Sequence, residues 1–124
     1  MISIGTSAWN NNGISYVEEV EDLSDANMHF IPYIFVDNTT LAMTGYKTNN
    51  QWRDNVPDVN WSDTRIMVSV EQQITSGTIA HEVGHAFGLS HRITDKKSIM
   101  CQVKWGRDTN VLSQNDVNVL DHIY

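Results

Sequence analysis

Cysteine occurs only once in the 124 residues, so no disulfide can form within the chain and the redox compartment is left open. No apolar run approaches the ~20 residues that a membrane-crossing helix needs. Positive charge is scarce: 8 Lys and Arg stand against 15 Asp and Glu, for a formal net charge of −7. A chain of that sign repels phosphate backbones, which argues against nucleic acid as a partner. The N-terminus shows no cationic stretch leading into an apolar core, so no signal peptide is visible. Nor is there an internal repeat, a low-complexity run or a linker. The rest is ordinary globular composition, 40% hydrophobic and 19% charged, at a length that suits a single domain over residues 1–124.

What is present is concentrated between His81 and His91, which reads H-E-x-x-H-x-x-G-x-x-H. His81 and His85 are four apart, so on a helix their imidazoles project from one face, a turn apart. Glu82 sits where its carboxylate can reach a water held by a metal without itself ligating the metal. Gly88 lets the chain reverse after the helix, because glycine takes left-handed backbone angles at little cost. That reversal can bring His91 back as a third nitrogen ligand. Three neutral imidazoles with one position left open describe a catalytic zinc site rather than a closed structural one.

Two further segments narrow the reading. Ser98-Ile99-Met100-Cys101 places a methionine nine residues after His91, and a capped amphipathic helix is expected over Leu112–Tyr124. In that helix Ser113 is a good N-cap, Asp116 completes an approximate capping box, and Val117, Leu120, Ile123 and Tyr124 form an apolar stripe. The histidine motif followed by a methionine is the metzincin signature. The L-S-x-x-D opening and the aliphatic-Tyr close of the last segment resemble the matrixin branch, the family of the matrix metalloproteinases. The convincing motifs cover residues 74 to 124; from Trp9 to Gln73 only the pattern is similar.

The resemblance implies an α+β, zincin-like fold: a mixed sheet packed on an active-site helix, then a Met-turn at Met100 and a C-terminal helix. It implies a zinc-dependent endopeptidase with His81, His85 and His91 as ligands and Glu82 as general base toward a water that the zinc acidifies. The substrate is then a protein or peptide in extended form, added as a strand along Leu41, Ala42 and Met43. The pocket after the scissile bond would be walled by Gln102, Val103, Lys104 and Trp105. Location outside the cell follows from the family, not from any segment of this chain. One catalytic zinc is expected. Calcium is a weaker expectation, because Asp54, Asp58 and Asp63 crowd one loop without the D-x-D-x-D-G spacing.

Departures from the family's pattern are equally specific. No histidine lies between His29 and His81, so the structural zinc that matrixins commonly carry is not expected. Arg92 replaces the usual Ser or acid, and the Pro-x-Tyr wall after the Met-turn is not kept. Only residues 1–12 precede the segment similar to the matrixin one at Gly13–Leu23, enough for the last turns of a helix ending near Trp9. This is either a reduced metzincin or, as we favour, a fragment of a longer secreted precursor. An uncovered sheet face would favour self-association, which light scattering tests.

Two readings from other classes stand beside the peptidase. An inactive zinc-bound domain that binds a partner would not need Glu82, which only catalysis requires. A zinc-stabilised structural module would need a closed four-coordinate site, usually with thiolates. Elsewhere the residues read plainly: Cys101 as a small buried hydrophobe, His29 and His122 as structural, Trp52 and Trp61 as loop anchors.

In outline, Ile14–Val20 suits either a strand or a helical turn. Met28–Val36 reads as a buried strand, with Pro32 hinting at an edge or bulge. Leu41–Tyr46 is a short strand, residues 47–63 a long surface loop, and Arg65–Val70 a strand. The metal-motif helix should start at Thr75 or Ser76, with Ile79, Val83, Ala86 and Phe87 facing the sheet.

Overall fold

The computed structural model describes residues 2–57 and 60–124. The chain forms two compact units, one of Met1–Val17 with Thr75–Tyr124, the other of Glu18–Ile74. No helix among the described residues is long and apolar enough to cross a membrane. Asp58, one of the carboxylates considered for calcium, lies outside the described residues.

The Glu18–Ile74 unit is a four-stranded mixed sheet of β1 (Met28–Tyr33), β2 (Ala42–Thr48), β3 (Gln51–Arg53) and β4 (Asp63–Ser69), in the order β1-β4-β2-β3. β1 runs parallel to β4, with Phe30 opposite Ile66; β2 is antiparallel to both β4 and β3. Pro32 does mark an edge, since a residue with no N–H is tolerated where no second neighbour needs it. The expectation of a buried strand is corrected accordingly: β1 is half-buried over Met28–Phe30 and exposed over Ile31–Tyr33, and it stops before Val36. Tyr46, Ile66 and Met67 are the buried apolar residues of the central strands, with Trp61 edge-on to Tyr46 at 5.2 Å between ring centroids.

The expected loop over residues 47–63 contains a hairpin. Asn49 and Asn50 take φ of 51° and 60°, the left-handed values of a two-residue type I′ turn, and β3 pairs back on β2 through Tyr46–Arg53, Lys47–Trp52 and Thr48–Gln51. Asparagine tolerates these angles better than other non-glycine residues, and the twist of such a turn matches that of the strands. Trp52 is therefore a strand residue, with the Arg65 guanidinium 4.5 Å from its ring centroid.

In the other unit, α1 (Ile2–Ser7) packs on α2 (Ser76–Ala86), with Gly5 so close to Ile79 that a side chain there would collide with it. Thr75 is the N-cap of α2, its hydroxyl accepting from Thr78 N. Trp9 is fully buried, its indole Nε1 donating to the carbonyl of Ala80 at 2.9 Å and its ring 5.6 Å from that of Phe87. Ile79, Val83 and Ala86 are buried as the helical spacing requires, and Phe87 is half-buried. α3 (Gln114–Ile123) opens with the expected Ser113–Asp116 capping box. Its apolar stripe is shorter than the sequence suggests: Leu120 is fully buried, whereas Ile123 and Tyr124 are exposed and Asp116 is buried in their stead.

Ile14–Val20 is neither strand nor helix. Side-chain amides capture its backbone: Asn12 Oδ1 accepts from Ile14 N and Ser15 N, and Asn10 both donates to Val17 O and accepts from Val17 N. Such local bonds compete directly with ladder or helix hydrogen bonds.

Candidate metal centre

α2 ends so as to fold the third histidine back on the first two. Phe87 caps it, Gly88 takes φ of 99°, and Gly88 N and Leu89 N donate to His85 O and Gly84 O, a Schellman closure. The Leu89 carbonyl freed by this turn accepts from His85 Nδ1 at 2.7 Å. The Ile99 carbonyl accepts from His81 Nδ1, also at 2.7 Å. A carbonyl can only accept, so both Nδ1 atoms carry the proton and both Nε2 atoms present a lone pair.

Those lone pairs converge. His85 Nε2 lies 3.2 Å from His81 Nε2 and 3.0 Å from His91 Nε2. A metal ion between the three nitrogens would engage them together, with the His81 and His85 lone pairs already free for it. Burial, reinforced for His81 and His91 by the charge of neighbouring groups, pushes His81 from 6.5 to about 3 and His91 to about 4; burial also lowers His85. The imidazoles therefore stay neutral at pH 7, the form that binds a metal. Among the described residues His81, His85 and His91 are the one group of three or more such side chains placed to hold an ion. An all-imidazole donor set with Nδ1 atoms fixed by carbonyls fits zinc, whose ligand histidines are oriented in this way.

Met100 packs against α2 at Gly84. It is fully buried, and a Cβ added to Gly84 on α2 would collide with its thioether and lie 2.9 Å from Trp9 Cζ2. The turn carrying it is clamped by Asp116, which the sequence presents only as part of a helix cap. The fully buried Asp116 carboxylate accepts from Ser98 Oγ, from Ile99 N at 3.0 Å, and from Ser113 N and Oγ at 2.8 and 3.0 Å. One side chain thus joins the cap of α3 to the segment whose carbonyl orients His81. A polar residue on the buried face of an amphipathic helix was the only available signal.

Glu82 is buried on α2 next to His81. Arg107, which sequence reasoning missed, is half-buried with Nη1 3.4 Å from Ile99 O and 3.5 Å from Cys101 O. Burial lowers its pKa, against the opposing pull of Cys101 and Glu82. After Met100, Val103–Trp105 forms a single 3₁₀ turn closed by Gly106 at φ 93°. Val103 and Lys104 are exposed, and the Trp105 ring is edge-on to His91 at 5.4 Å. Gln102 Nε2 is 2.9 Å from His91 Nε2. Cys101 is a buried free thiol. Leu41 O is taken by Ser69 N at 2.8 Å, while Ala42 and Met43 pair with Val68 and Met67; among the described residues the β3 ladder covers β2 no further than Tyr46–Thr48.

Residues 20–124 match the family model described as Matrixin. Comparison with curated proteins and with solved structures gave no match.

Proposed function

The chain belongs to the matrixin family of zinc-dependent endopeptidases, and from that premise we propose how its own residues carry out peptide-bond hydrolysis. His81, His85 and His91 would hold the zinc, their Nε2 atoms being the ones that converge. When bound, zinc supplies acidification of water and Lewis-acid polarisation of the scissile carbonyl. Ile99 O and Leu89 O fix two of the rings in the tautomer that leaves Nε2 available. Glu82 takes the proton from the attacking water and returns it to the leaving nitrogen, a contribution of about 10²–10⁴-fold for a well-placed general base. Its place on α2 directly after His81, within the buried part of that helix, supports the assignment.

The substrate is read as an extended peptide that adds to the sheet edge at Ala42 and Met43, where the β3 ladder has stopped. Leu41 is a weaker candidate because its carbonyl serves the sheet. Val103, Lys104 and Trp105 are assigned to the wall of the pocket beyond the scissile bond, and Trp105 supplies its aromatic surface. Matrixins are usually secreted, and we assign this chain to the same place.

The observation that carries the reading is the convergence of three imidazole Nε2 atoms with two of the rings pinned from behind. Cleavage of a quenched fluorescent peptide library tests it. Activity should vanish with a chelator, return on addition of zinc, and fail to return in His91→Ala. Cleavage that survives chelation would remove the metal from the mechanism.

A further inference from the structure

Gln102 is the second residue after Met100, and its amide makes a contact of a different kind from those that orient the ligand rings. Ile99 O and Leu89 O engage the nitrogens behind the site, whereas Gln102 Nε2 lies 2.9 Å from Nε2 of His91, the nitrogen that faces its fellow ligands. An amide nitrogen can only donate, so it is directed at a lone pair that a metal claims when bound. With a metal bound, the donor would be released to another acceptor. During hydrolysis the carbonyl oxygen of the scissile bond, which the metal would polarise, would be one.

We propose that Gln102 is a hydrogen-bond donor to the oxyanion formed during peptide hydrolysis. The inference rests on the reading of His81, His85 and His91 as metal ligands and of Glu82 as base. As the water oxygen adds to the carbonyl carbon, Glu82 takes one proton and the carbonyl π pair moves onto oxygen. When that pair returns, the carbon–nitrogen bond breaks and its electrons leave on nitrogen, which takes the proton from Glu82. The oxygen carries its full charge only between these two events. A donor aimed there strengthens in the transition state more than in the ground state, and so acts on kcat rather than KM.

Turning the amide half a revolution would instead offer Oε1 as a competing ligand. Protein zinc sites take their side-chain oxygens from Asp and Glu, which favours the donor role. Gln102 is half-buried and precedes the 3₁₀ turn without capping it, so fold maintenance does not account for its orientation.

The test uses the zinc-loaded chain with Gln102→Met, which keeps the length and removes the donor, and Gln102→Glu, which keeps an oxygen acceptor. Both variants should lower kcat on the order of 10²-fold with KM unchanged. Affinity for a phosphinic peptide, a tetrahedral anion, should fall by a similar factor in calorimetry, while zinc content and the visible spectrum of the cobalt-substituted protein stay as in the wild type. Unchanged kcat and phosphinic-peptide affinity overturn the proposal. So does a rise in kcat with an altered cobalt spectrum before substrate is added, which would make the amide a ligand. Calorimetry keeps the two readings separate: a wild type that holds zinc and binds the phosphinic peptide yet cuts nothing contradicts the role of Glu82, and the effect of Gln102→Met on binding still decides that of Gln102.

Discussion

Replacing Asp116 by Ala should both unfold the protein earlier and loosen its metal, although Asp116 touches no ligand histidine. The carboxylate is fully buried and serves four donors: Ser98 Oγ, Ile99 N, Ser113 N and Ser113 Oγ. The two hydroxyls can rotate to other acceptors, but the two backbone N–H groups cannot. Ile99 is itself fully buried, so its orphaned N–H alone costs about 1–3 kcal/mol. Loss of the capping box at the half-buried Ser113 adds about 1 kcal/mol. The sum, about 2–4 kcal/mol, lowers Tm by roughly 8–15 °C for a chain of this size. Because Ile99 O orients His81, movement of that segment also weakens zinc binding, by about 10–100-fold for a lost second-layer contact. Thermal melting followed by circular dichroism and zinc competition with a chromogenic chelator measure the two effects. A Tm within about 3 °C of wild type would refute the clamp, and normal zinc affinity in a destabilised variant would refute its link to His81.

Gly84→Ala should also destabilise the protein, by about 1–2 kcal/mol in denaturant titration, since overpacking against Met100 and Trp9 outweighs the gain in helix propensity. A variant as stable as wild type would show that the packing of Met100 and Trp9 against α2 can yield. The metal-free protein should lose stability as pH falls from about 6.5 to 4. His81 and His91 titrate at about 3 and about 4 when folded, so in that window the unfolded chain binds protons that the folded chain refuses. Above pH 7 both states are neutral at these sites and their contribution is flat. A Tm that rises on acidification through this window would contradict the neutral state of the cluster.

Legibility followed the range of the interactions. The ligand motif was readable because a helix fixes i, i+4 and because Gly88 is required at φ 99° for the return of His91. The cap of α3 was readable for the same local reason. The hairpin at Asn49-Asn50 was missed although its two-residue turn is a local signal, because three strand residues between polar neighbours carry little apolar alternation. Ile14–Val20 was misread because its alternating pattern says nothing of Asn10 and Asn12 reaching its backbone. The part of Asp116 outside its cap, the Gln102–His91 contact and the placement of Arg107 arise from segments brought together by the tertiary fold, which no spacing encodes.

In the proposed mechanism three histidines hold the zinc while Glu82 handles the proton. The most direct measurement is peptide cleavage by Glu82→Gln with its zinc content determined on the same sample. One zinc per chain, as in wild type, with turnover reduced by about 10²-fold or more is the predicted result. Full turnover in a zinc-loaded Glu82→Gln protein would contradict it.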